Sequence, residues 1–91
     1  MSQIKIEDHP DATRLAKLGV EDWPEWEKET SEFPWKYAEN ETSYILEGRA
    51  IVTPDGGTPV EIGKGDLVRF PSELSCVWKI IEPLRKRYRM G

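Results

Sequence analysis

Beyond Pro34 the chain is a series of short apolar segments cut off by turn residues, and this spacing constrains its fold more than any other feature. Segments of this kind, bounded by Gly, Pro and Asp, read as the strands of a small sandwich or barrel. Trp35 to Leu46 is the first, closed by Glu47-Gly48, and Arg49 to Thr53 follows, closed by Pro54-Asp55-Gly56-Gly57. Val60 to Ile62 ends at Gly63-Lys64-Gly65-Asp66, and Leu67 to Phe70 ends at Pro71. Cys76 to Ile81 and Lys86 to Met90 complete the set, parted by Glu82-Pro83. In such turns glycine supplies the positive φ that a tight reversal requires.

Ahead of Pro34 the pattern differs. Ile4-Lys5-Ile6 reads as a short opening strand. Pro10 to Leu18 reads as one short helix, with Pro10 tolerated in its first turn and Gly19 suited to the position after its end. Two prolines, Pro24 and Pro34, forbid one continuous element from Val20 to Trp35. That stretch carries Trp23, Trp26, Phe33 and Trp35, and the expectation is an extended arm of edge-strand pieces whose aromatics pack across the barrel.

With 91 residues and 37% hydrophobic content the chain suits one domain over 1–91. A domain of this size buries only about 60–65% of its unfolded surface, so a homodimer that covers more apolar area is expected to help. Lys and Arg number 13 against 17 Asp and Glu, a formal charge of -4 that argues against a nucleic-acid partner. The basic run Arg85-Lys86-Arg87-Tyr88-Arg89 is read as a terminal strand with solvated cations. No stretch reaches the roughly 20 apolar residues of a membrane span, and the amino terminus lacks an apolar signal core. A cytoplasmic protein without membrane association is expected, and the single cysteine, Cys76, suits a reducing compartment.

Two segments resemble the paired motifs of the cupins, small antiparallel β-barrels of jelly-roll type. In Glu41-Thr-Ser-Tyr-Ile-Leu-Glu-Gly48 the glutamate stands seven residues before the glycine; Gly65-Asp66-Leu-Val-Arg-Phe-Pro71 supplies the second motif. The resemblance implies metal-binding histidines at positions that here hold Trp35, Tyr37 and Cys76, so that of the usual ligands only Glu41 is kept. With Cys76-Val-Trp78 and Leu84-Arg-Lys-Arg-Tyr88, the chain looks like the small single-domain cupins grouped with the (S)-ureidoglycine aminohydrolase cupin domain, over residues 20–90. The manganese chemistry of those longer enzymes is not implied, because their histidine ligands are missing.

Residues two apart on a strand share a face. An unbroken strand would put Trp35, Tyr37, Glu39, Glu41, Ser43 and Ile45 on one face, and Cys76, Trp78 and Ile80 on one face of another. Lys86 and Tyr88 alternate in the same way. The resemblance implies that these faces are the barrel interior, which defines an expected ligand pocket of Trp35, Tyr37, Glu41, Ser43, Cys76, Trp78, Lys86 and Tyr88. Zinc needs three or four converging ligands, and only Glu41 and Cys76 qualify there, His9 being remote in the amino-terminal turn. No cofactor is therefore expected, and any divalent metal would fall to Glu41 and Cys76. Cys76 has no neighbouring base to make it a nucleophile and reads as a small buried apolar group. Glu41 reads either as a desolvated acid or base or as half of a buried pair with a cation such as Lys86. The expected role is a metal-free barrel binding a small polar metabolite, sugar- or ureide-like. Two alternatives stand beside it: an isomerase-like or aminohydrolase-like enzyme using Glu41, and a purely structural domain.

Overall fold

The computed structural model describes residues 4–91. Seven strands form one antiparallel sheet: β1 (Lys5–Glu7), β2 (Glu25–Lys28), β3 (Ser31–Lys36), β4 (Glu41–Pro54), β5 (Val60–Gly63), β6 (Leu67–Phe70) and β7 (Ser75–Met90). The order is β1-β6-β4-β7-β2, with β3 also on β7 and β5 also on β4. The fold class is thus the expected antiparallel β-structure with one short helix, α1 (Ala12–Leu18). The helix begins two residues after Pro10, where Asp11 caps it by accepting the Arg14 N–H, and ends at Gly19 in the left-handed region.

Two expected boundaries vanish and one appears. Arg49 to Thr53 is the second half of β4 rather than a separate strand, and the segments flanking Glu82-Pro83 are both parts of β7. The chain passes these points through register shifts between Ile45 and Ala50, where β4 and β7 lose step. Gly48 sits there at φ 90°, and a Cβ on it would lie 2.2 Å from the Pro83 carbonyl oxygen. Pro83, which has no N–H to donate, falls at the same interruption, between the stretches of β7 paired with β3 and with β2. Conversely, Trp35 to Leu46 is not one strand, because β3 stops at Lys36 and β4 starts at Glu41. Pro34 is tolerated in β3 because that strand pairs on one side only, with β7.

The bulge also changes which residues face inward. Before Gly48 the buried positions of β4 are Glu41, Ser43 and Ile45; after it they are Ala50 and Val52. The main core joins Ile45, Ala50 and Val52 to Tyr37, Ile62, Val68, Phe70, Leu74, Cys76, Trp78, Ile80 and Leu84. A smaller cluster on the opposite face packs Val20, Trp23 and Leu67 against Leu15, Leu18 and Tyr44, so α1 is a cover with no fully buried residue of its own. Among the described residues no helix is long and apolar enough to cross a membrane.

Candidate functional site

A cavity of about 360 Å³ opens between β2, β3, the start of β4 and the end of β7. Its walls are Trp26, Phe33, Trp35, Tyr37, Trp78, Tyr88 and Met90, and its polar base is Glu41 and Lys86. The volume falls within the range of small-molecule sites. Each wall has a local cause. Alternation along β7 points Trp78 and Lys86 inward, and β2 and β3 bring Trp26 opposite Lys86 and Phe33 opposite Trp78. Tyr37 belongs to no strand; its N–H is bound by the Leu74 carbonyl at 2.9 Å, which seats its ring on Phe70 with centroids 4.8 Å apart and planes nearly parallel.

At the base, Lys86 Nζ donates to Glu41 Oε2 at 2.6 Å and to Ser43 Oγ at 3.1 Å, and Ser43 in turn donates to Glu41 Oε2 at 2.7 Å. Both charged side chains are nearly sealed, 7% exposed for Lys86 and 9% for Glu41. The ammonium also lies over three ring faces, 4.9 Å from the centroid of Trp78, 5.2 Å from Trp26 and 5.6 Å from Phe70. Such rings stabilise a desolvated cation, so Lys86 is held by a carboxylate, a hydroxyl and an aromatic cage together. Burial nonetheless pulls its proton affinity below the ordinary lysine value, with Glu41 opposing the shift. Tyr37, whose oxygen accepts the Trp78 indole N–H at 3.2 Å, is held protonated well above the usual phenol range, first by burial and then by the Glu41 charge.

The structure brings together six of the eight expected pocket residues: Trp35, Tyr37, Glu41, Trp78, Lys86 and Tyr88. Ser43 and Cys76 do not line the cavity. Ser43 is wholly buried behind Glu41, and the Cys76 thiol turns to the Trp35 carbonyl at 3.6 Å. Trp35 lines the mouth with 51% exposure, and Glu39 is exposed in the bend between β3 and β4. Three lining residues escaped the sequence reading, Trp26, Phe33 and Met90. Met90 was within reach by continuing the alternation of Lys86 and Tyr88; for Trp26 and Phe33 the signal was the aromatic content of the arm, whose strand register no local pattern supplies. Lys86 is not a solvated cation either, whereas its neighbours Arg85 and Arg87 pair at the surface with Glu25 and Glu47.

Trp35, Tyr37, Glu41 and Cys76 stand at the positions that hold the metal in typical cupins. Glu41 Oε2 already faces an ammonium, Tyr37 keeps its proton, and burial pushes the Cys76 thiol up to about 11. Among the described residues, the grouping of three potential ligands lies elsewhere, where Asp8, His9 and Asp66 place ligand atoms within 4.8 Å of one another. His9 is exposed, and its Nδ1 is 2.5 Å from Asp8 Oδ1.

Residues 15–88 match the family model of the EutQ-like cupin domain. A solved structure of a DUF861 family protein from Thermotoga maritima is 53% identical, with a TM-score of 0.95 over 98% of this chain and 100% of that one. The EutQ protein of Clostridium difficile is similar in fold, at 18% identity and a TM-score of 0.68 over 98% of this chain and 68% of that one. A putative ethanolamine utilization protein Q from Salmonella typhimurium gives 23% identity and a TM-score of 0.66 over 72% of this chain, which spans 53% of it. No curated protein matches the sequence. The expected kinship with the ureidoglycine aminohydrolase group finds no support in these comparisons, which point to the EutQ-like branch.

Proposed function

The chain belongs to the family of EutQ-like cupin domains, and on that footing we propose that its barrel is a metal-free binding module for a small polar metabolite. A sugar or a ureide is the ligand class suggested by the sequence. The observation that carries this reading is the Glu41–Lys86 pair at the base of an aromatic cavity. A buried ion pair is a poor way to stabilise a core, since apolar residues of similar volume often do as well or better. Its retention at the floor of an open cavity, with aromatic walls that give area and polar groups that give orientation, has the make-up of a ligand site. The ammonium takes the place at Glu41 that a divalent cation would need, which supports binding without metal. Cytoplasmic residence is part of the same reading and rests on the free, buried Cys76.

The test is elemental analysis of untagged protein followed by a thermal-shift screen of neutral metabolites, wild type beside Glu41→Gln. The expected result is metal far below one equivalent, and a ligand that at about a hundredfold excess over its Kd stabilises the wild type by roughly 2.7 kcal/mol and the variant by much less. Near-stoichiometric metal that disappears in Glu41→Gln would overturn the proposal in favour of metal-assisted chemistry.

A further inference from the structure

The hydrogen-bonding capacity left over at the cavity floor narrows the ligand class, provided that the binding reading above holds. Glu41 Oε2 receives both bonds that reach this carboxylate, from Ser43 and Lys86, while Oε1 receives none among the described residues. No sealed side-chain oxygen or nitrogen among the described residues lacks a partner, so Oε1 opens onto the cavity. Tyr37 accepts the Trp78 indole N–H, and its own hydroxyl proton has no acceptor among the described residues. An ammonium carries three protons, and Lys86 commits two of them, to Glu41 and Ser43. One acceptor and two donors remain, between walls that are otherwise aromatic rings and the Met90 side chain.

The charge balance excludes ions. Glu41 and Lys86 neutralise each other at 2.6 Å, so a charged ligand would meet no net counter-charge at the cavity floor, an expensive arrangement for an ion that sheds its water. The valence count also sets aside the sugar- and urea-like ligands that the sequence suggested. A pyranose brings several hydroxyls, and a urea two amino groups facing one acceptor, and buried polar groups are rarely left unpaired. An N–H beside a C=O fits: the N–H meets Glu41 Oε1, and the carbonyl, with two lone pairs, takes the Tyr37 hydroxyl and the third Lys86 proton. We propose that the pocket takes an uncharged planar ligand bearing one N–H next to one C=O, a lactam or secondary amide, with its flat face against the Trp26 and Trp78 rings.

Three ring probes of similar size and different charge decide this: 2-pyridone, benzoate and benzamidinium, titrated while the tryptophan indole N–H signals are followed by NMR. In the wild type 2-pyridone is expected to shift the Trp78 indole signal and to bind about tenfold or more tighter than either ion, the scale of one hydrogen bond to a charged group. Glu41→Gln leaves Lys86 as a net positive charge, so benzoate should overtake 2-pyridone, an inversion that a merely structural Glu41 would not produce. Tyr37→Phe keeps the ion pair intact, guards against a Glu41→Gln variant that does not fold, and should weaken 2-pyridone by several-fold, about the scale of one neutral hydrogen bond. Equal or tighter binding of an ion to the wild type, or an unchanged preference in folded Glu41→Gln, overturns the inference. If none of the probes binds while the thermal-shift screen yields a ligand of another class, this inference falls and the binding reading stands; if both come up empty, both fall.

Discussion

Replacing Lys86 by Met should destabilise the protein far more than the loss of one surface lysine. Methionine keeps the length of the side chain and can lie against Trp26, Phe70 and Trp78, so packing is largely preserved. What is lost is the charge that balances Glu41, whose side chain is 9% exposed and keeps only the Ser43 hydroxyl. Breaking a buried pair from one side costs about 3–5 kcal/mol, against about 0–1 for an exposed pair. A domain of this length has a total stability of roughly 5–14 kcal/mol, so Lys86→Met should lower Tm by about 12 °C or more at some 4–8 °C per kcal/mol. Removing the whole polar group at once should recover most of that loss. Ser43 has to be included, because its buried hydroxyl would otherwise be orphaned at a cost of about 1–3 kcal/mol. The decisive comparison is urea unfolding of Lys86→Met, Glu41→Leu and the triple variant Glu41→Leu/Ser43→Ala/Lys86→Met. Single variants that each cost under about 1 kcal/mol, in the range of exposed pairs, would refute the claim that the pair is dry. A triple variant no more stable than Lys86→Met alone would refute the claim that the three groups act as a unit.

Alkaline stability should depend on Cys76: its thiol is raised to about 11 from 9.0, chiefly by burial, so its contribution is complete below pH 9 and is lost as pH rises through about 11. Chemical denaturation between pH 8 and 11 should therefore show a steeper decline for the wild type than for Cys76→Ala. Gly48→Ala should fail to fold or be severely destabilised, because the new Cβ meets three backbone atoms of Glu82, Pro83 and Leu84 within 2.8 Å; Gly56→Ala, at φ 69° in open space, should cost only about 1–2 kcal/mol for the left-handed backbone, as differential scanning calorimetry of the pair will show. Trp35→Ala should leave Tm within a few degrees, since the ring is half exposed at the mouth, yet reduce ligand binding in the thermal-shift assay; a large fall in Tm would place Trp35 in the core instead.

The local code of this chain was legible where a few neighbouring residues decide the outcome. Leu67 to Phe70 is a strand with the boundaries that Asp66 and Pro71 suggest, and the helix ends at Gly19 because the left-handed position after a helix favours glycine. Alternation put Cys76, Trp78 and Ile80 on one face and Lys86 with Tyr88 on another segment's face; in the structure Cys76, Trp78, Ile80 and Lys86 are all buried along the single strand β7. The bulge at Gly48 reverses the phase within β4, so that Ala50 and Val52 are buried beyond Ile45, whereas the break after Lys36 leaves Tyr37, Glu41, Ser43 and Ile45 all buried. Glu39, which alternation puts on the same face, is exposed in that break, and Trp35 lies half exposed at the cavity mouth.

Short antiparallel strands and a short helix were already written in the sequence, because turn chemistry and period-two alternation act over a few residues. The resemblance to the cupins, not the periodicity, implied that Glu41 stands on an inward face and that the usual histidines are absent. Only the tertiary structure decided that Glu41 meets Lys86, that Trp26 and Phe33 close the cavity, and that Cys76 and Ser43 stand behind its wall. Those contacts join residues tens of positions apart, and the register of β2 and β3 on β7 that creates them is set by which pairing buries the aromatic faces together, a choice made by the whole core rather than by any segment.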